Sequence, residues 1–328
     1  DVAMKRLPFI LAIMLVLLTA APLGISAQAQ APDIGTAVAF VDNEGNELGS
    51  ITVTGIDDPA TGLDPDFPAE ADSRYVVLTV VFEAAADRRF DIDPFAIVVQ
   101  DGDGALWSRT AVRLAEDAVV PELGGQALAP GSRISGVVGF ALPDAAEVAR
   151  VFYQPESNRL ITLAEVLGVA PPPVGQMFEI ADGAGGTGQV AVLDVFDPFL
   201  DFDPGSPPEP GNRYLMLWLV LENVTPAIFQ PSSSWFVVRD DAGYLWSTGF
   251  VPRPTEEPGS ARSEMAILDL DSQRLGSGDR LSRAIFFQLP EDAVATAMYV
   301  RPDSSHLIAV ADLADVDAAA TPVSDDED

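Results

Sequence analysis

Any chemistry in this chain has to come mainly from carboxylates. Its 328 residues carry 50 Asp and Glu against 18 Lys and Arg, with one His and no Cys. The acids gather twice, at Asp57, Asp58, Asp64 and Asp66 and again at Asp194, Asp197, Asp201 and Asp203. Ca²⁺ takes about six to eight oxygen ligands, which loop carboxylates and carbonyls can supply. These eight aspartates are therefore the candidate metal ligands, and Ca²⁺ is the only cofactor the sequence suggests. EF-hand spacing is absent, and Asp-Pro pairs such as Asp58-Pro59 also start ordinary turns. A solvated loop is thus the plainer alternative. Paired acids also serve glycosidases, but nothing in the spacing sets a carboxylate separation.

Other candidates are weaker. His306 follows Ser304 and Ser305, so a Ser-His-Asp set is nominally available, but no Gly-x-Ser-x-Gly elbow accompanies it. Gly183 to Gly188 is glycine-rich but has no Lys and precedes a strand pattern, which favours a hairpin over a phosphate loop. Trp107 and Trp246 offer rings for a sugar, or seals for the end of a packed sheet. Catalytic residues are not expected. The absence of Cys excludes disulfides, thiol catalysis and thiol-linked lipid. A net charge of −32 speaks against nucleic acid and anionic membrane, both of which need clustered cations.

The N-terminus has the form of an export signal. Lys5-Arg6 precedes an apolar run from Leu7 to Ala21, and Ala27-Gln28-Ala29 offers a small-residue cleavage site. Cleavage after Ala29 is expected, leaving no membrane span in the mature chain; an uncleaved anchor is the alternative. Lys5 is the only lysine, so every cation of the mature chain is Arg. Salt adaptation and coding bias both account for that composition.

What must position the acids is a unit that occurs twice. Arg74-Tyr75 through Phe82-Glu83 matches Arg213-Tyr214 through Leu221-Glu222, 139 residues on. The same offset joins Asp58-Pro59 to Asp197-Pro198, Val98–Asp101 to Val237–Asp240, and Leu106-Trp107-Ser108 to Leu245-Trp246-Ser247. Phe140–Pro143 matches Phe287–Pro290 at an offset of 147, so the second unit has gained eight residues after its Trp. The expected organisation is a signal peptide (1–29), a first repeat (30–168), a Pro-rich linker (169–174), a second repeat (175–317) and an acidic tail (318–328). Residues 30–170 hold 23 acids and 8 Arg, and residues 171–317 hold 22 and 8, so acidity belongs to both units.

Each unit reads as short strands between turns. Tyr75–Phe82 is too continuously apolar to be one-sided and predicts a central strand covered on both faces. Ile51–Ile56 alternates, placing Ile51, Val53 and Gly55 on one face. Asp101-Gly102-Asp103-Gly104 predicts a hairpin turn, and Pro130-Gly131 turns the chain into a strand over Ile134 to Leu142. Brief helical turns are expected at Ala145–Ala149 and Ala164–Leu167. The predicted fold class is all-β, two tandem immunoglobulin-like β-sandwich domains after a signal peptide, with a pair of closed barrels as the alternative.

The order Asp-Pro, Arg-Tyr-x5-Val-Phe-Glu, Val-Val-x-Asp before Gly, Leu-x-Pro-Gly and Phe-x-Leu-Pro resembles the domain of unknown function 4352 family. That family lies within an immunoglobulin-like superfamily named for a mycobacterial immunoprotective antigen. The polar residue usual after the central Glu is present as Asn223 but is Ala84 in the first unit. The resemblance implies an exported bacterial domain without catalytic residues. The expected function is a non-enzymatic binding module of the extracellular or cell-envelope space, its partner an extracellular protein or glycan. A secreted hydrolase and a structural spacer are the alternatives.

Overall fold

The computed structural model describes residues 32–42, 44–182, 185–251, 270, 273–314 and 316. The signal segment, the acidic tail, Gly183-Ala184 and most of the eight-residue gain lie outside the described residues. No helix among the described residues is long and apolar enough to cross a membrane.

The protein is an all-β sandwich fold. In the first half, β1 (Val38–Val41), β2 (Glu47–Asp57), β3 (Ser73–Ala84), β4 (Phe90–Ile92), β5 (Ile97–Asp101), β6 (Leu106–Ser108), β7 (Gln126–Leu128), β8 (Arg133–Pro143), β9 (Val148–Glu156) and β10 (Arg159–Glu165) form two four-stranded antiparallel sheets, ordered β1-β2-β3-β8 and β10-β9-β5-β6. A β4-β7 pair closes one side. The second half repeats the plan. β11 (Phe178–Ala181), β12 (Thr187–Phe196), β13 (Asn212–Asn223) and β16 (Arg280–Pro290) form one sheet. β14 (Phe236–Asp240), β15 (Leu245–Ser247), β17 (Ala295–Val300) and β18 (Ile308–Asp312) form the other. Where β4 and β7 pair in the first half, the second keeps a single bridge, Phe229 to Leu275.

Sequence alternation explains the core. Val76, Leu78, Val80 and Phe82 of β3 point between the sheets with Val99, Val151 and Tyr153. Leu215, Leu217, Leu219 and Leu221 of β13 do the same with Val238 and Met298. The intervening residues of these strands are also covered. Val77 and Val137 lie under Leu63, Leu114 and Val120, while Tyr214 and Met216 lie under Phe199, Phe202 and Val251. Loops thus form a third layer on each outer sheet.

Three expectations need correction. The alternation of β2 does not continue to Gly55: the pairing with β3 slips between Val53 and Gly55. Thr54 becomes the extra residue, and Ile56 instead packs toward the core. β12 slips at the equivalent place, between Val192 and Asp194. The alanine-rich stretches do not form helical turns. Asp144-Ala145 is a tight turn into β9, and Ala164 completes β10. Pairing along β9 outweighs alanine's helix preference, which over so few residues is too small to nucleate a helix.

Tyr153 is fully enclosed between Phe40 and Phe82. Burial pushes its phenol up to about 12, although a hydrogen bond with the Asp93 backbone pulls the other way. The folded state therefore holds this proton more tightly than the unfolded chain, so its contribution is intact below pH 10 and is lost as pH rises toward 12. Tyr153→Phe should flatten the alkaline limb of stability by about 1.4 kcal/mol at pH 11 relative to the parent. Urea melts between pH 8 and about 11 read this directly, and identical limbs would contradict it.

Candidate functional site

The aspartate loops leave β2 and β12 just beyond the bulges. Both Asp-Pro peptide bonds there, Asp58-Pro59 and Asp197-Pro198, are cis. Each proline-preceding aspartate meets the arginine that opens the central strand. Arg74 donates from Nε to Asp58 Oδ1 at 2.6 Å and from Nη2 to Oδ2 at 2.9 Å. Its remaining donors reach the Pro143 and Ala146 carbonyls at 2.5 and 2.6 Å. Arg213 repeats this with Asp197 at 2.5 and 2.7 Å and with the carbonyls of Pro290 and Ala293. The carboxylate hydrogen bond is the main cause holding each guanidinium above its ordinary range. A fork of five donors matches two carboxylate oxygens and two carbonyls, an arrangement that a lysine ammonium cannot copy.

The other six aspartates do not converge on these two. Asp57 Oδ2 accepts from the backbone N–H and hydroxyl of Thr61 at 2.7 and 2.9 Å. Asp64 Oδ1 accepts from the Asp66 N–H at 3.0 Å, and Asp203 Oδ1 from Gly205 at 2.8 Å. Asp194 stands exposed beyond the bulge, and Asp201 lies half-buried in its loop. Among the described residues, no group of three or more His, Cys, Asp or Glu is placed to share a metal ion.

His306 does not sit in a relay. Its Nδ1 lies 2.9 and 3.0 Å from the two Asp303 oxygens and 3.2 Å from Ser305 Oγ, all on one ring nitrogen. A base must take the nucleophile's proton on the nitrogen opposite its orienting carboxylate. The His306 hydrogen bond is the main cause holding the Asp303 carboxyl down to about 2. Trp107 and Trp246 donate from Nε1 to Asp101 and Asp240 at 2.9 and 2.8 Å, which ties each ring to the hairpin it follows. Trp218 lies half-buried in the outer cluster with Tyr214 and Phe199.

The concavity with exposed aromatic character is one that sequence reasoning missed. A groove of about 450 Å³ opens on the outer face of the first half, floored by Val112 and walled by Phe67, Tyr75, Arg113, Leu114 and Glu122. The Arg113 guanidinium lies 3.5 Å from the Phe67 ring centre. Arg109 pairs with Glu122 at 2.6 Å and covers Phe95, a ring 68% exposed. The lining residues come from the loop after β2, the segment after β6 and strand β3, so no motif in the chain could have assembled them. The Arg74–Asp58 pair did leave a signal: opposite charges recurring together at one offset.

A scan against protein-family models and a search of curated proteins return no match to this chain.

The ion-pair fork should be worth more than charge alone. Arg74→Ala is expected to cost about 2 kcal/mol in urea unfolding, and Arg74→Lys to recover less than half of that. Full recovery by Lys would reduce the fork to a simple charge pair. Titration with Ca²⁺ separates a committed loop from a metal site. With Asp58 and Asp197 already paired, the melting temperature should stay within about 1 °C at millimolar Ca²⁺, whereas a site at 100 times its Kd would add about 2.7 kcal/mol and raise it several degrees.

Proposed function

We propose that the chain is an exported, non-enzymatic binding module of the extracellular or cell-envelope space, built as a tandem pair of immunoglobulin-like domains. The groove on the outer face of the first half carries this reading. It combines the exposed Phe67 ring with Arg113 stacked on it, the half-buried Tyr75 and a carboxylate, which suits a protein segment or a glycan presenting both apolar and hydrogen-bonding surface. Further support comes from what the acids are doing. Asp58, Asp101, Asp197 and Asp240 all serve the scaffold through named hydrogen bonds. The −32 formal charge disfavours polyanionic partners. Family membership in the sense of the resemblance above, and export through the N-terminal segment, are part of the same proposal.

The test is capture from native medium and envelope fractions, with a glycan array alongside. Parent and Phe67→Ala/Arg113→Ala proteins are compared at equal melting temperature. Retention by the parent should fall at least tenfold in the double variant, because exposed anchor residues carry most binding energy in such sites. Equal retention would move the binding surface elsewhere.

A further inference from the structure

The two halves face one another through the same surface. The Leu106 N–H donates to the Ser305 carbonyl at 2.6 Å, and the equivalent Leu245 N–H to Asn158 at 2.7 Å. The Leu307 N–H donates to Gly104 at 2.9 Å, and Leu160 to Gly243 at 2.8 Å. Two antiparallel bridges result, Ala105 opposite His306 and Tyr244 opposite Arg159. Side chains keep the relation. Gln100 Nε2 reaches the Leu307 carbonyl at 2.6 Å, and Arg239 Nη2, at the matching position, reaches the Leu160 carbonyl at 3.0 Å. The apolar cluster between the halves consists largely of equivalent pairs: Phe152 with Tyr299, Leu160 with Leu307, Leu106 with Leu245.

The backbone contacts of one half on the other thus recur with the roles exchanged, while Arg239 to Thr162 Oγ1 at 2.9 Å and Arg159 on the Tyr244 ring are particular to one side. That recurrence is the geometry of an isologous dimer interface, in which one patch complements itself. Here a linker joins the two patches. Val169 is fixed to the first half through Arg150, and Pro172 to the second through the Asp312 N–H at 2.7 Å. Only Ala170 and Pro171 lie between those anchors.

We propose that this face is an exchangeable docking surface whose partner is a second copy of the same chain. Opening at Ala170-Pro171 lets the first half of each molecule dock on the second half of the other, restoring all the contacts above in a closed, two-fold dimer. Because the contacts are unchanged, the balance between forms depends on the hinge and on protein concentration relative to the effective concentration of the tethered halves, in the millimolar range for short linkers.

The absence of Cys makes a clean test possible. Ala105 and His306 form a narrow antiparallel pair, whose Cα separation of about 4.5 Å suits a disulfide. Full-length Ala105→Cys and His306→Cys chains, one carrying a mass tag, are mixed at about 1 mM, opened in dilute urea, returned to buffer and oxidised. A covalent heterodimer with a 105–306 disulfide is expected, at least tenfold above a control mixture of Ala105→Cys with Arg159→Cys chains. Those two cysteines never meet in the exchanged dimer, so equal yields would overturn the proposal. The double variant Ala105→Cys/His306→Cys must close within one chain; closure there with only monomers in the mixture also overturns it. Arg159→Cys mixed with Tyr244→Cys repeats the test at the second bridge, should either first variant fold poorly.

Discussion

A strand buried on both faces cannot be satisfied by one sandwich. β3 and β13 send alternate side chains into the space between the sheets, and the remaining apolar side chains need a second cover. With no disulfide to hold such a cover, it has to be built from the loops that flank the strand. The long segments after β2 and β6 fold back over Val77 and Val137, that after β12 over Tyr214 and Phe286, and Val251 beyond β15 joins the same cluster. A loop recruited as a layer must be pinned, because ordering it costs about 1–2 kcal/mol of backbone entropy per residue. The Arg74 and Arg213 forks do this at the points where the loops leave the sheet, tying each to its own central strand and to the turn after β8 or β16.

The same requirement assigns the charges. A surface with a large carboxylate excess repels itself, and salt screens such repulsion over about 10 Å at 0.1 M. Arginine is the cation that can be half-buried without losing its charge, and it stacks on rings while it donates. Arg113 on Phe67 and Arg159 on Tyr244 use the stacking; Arg150, bonded to Glu165 and Gln100, uses the fork. The groove on the outer face exists because the pinned loops do not cover that sheet completely.

Duplication, sheet class and hairpin positions were legible because each rests on a local pattern. The doubled Arg-Tyr strand, the Asp-Gly turns and the alternation of β2 as far as Val53 need only neighbouring residues. The bulges at Thr54 and Leu193 were not legible, since a slip in register is set by the partner strand and leaves no mark on alternation until it has happened. Arg74 was visible as part of a motif, yet its partners Asp58, Pro143 and Ala146 lie 16, 69 and 72 residues away. The groove failed to show for the same reason, being assembled from loops that meet only over a completed sheet.

The inter-half face was hidden by a different effect: its residues already had a sufficient local explanation. Gly104 and Gly243 close Asp-Gly type hairpins with φ of 88° and 86°, where a side chain is strained. That alone justifies glycine. Yet the carbonyls of the same two residues receive the Leu307 and Leu160 amides of the opposite half, and a Cβ on either would press on the backbone that donates. Turn geometry and docking therefore demand the same residue at the same place. A hairpin that must be bare on its outer edge for its own conformation is also the flat edge against which a copy of itself can pair.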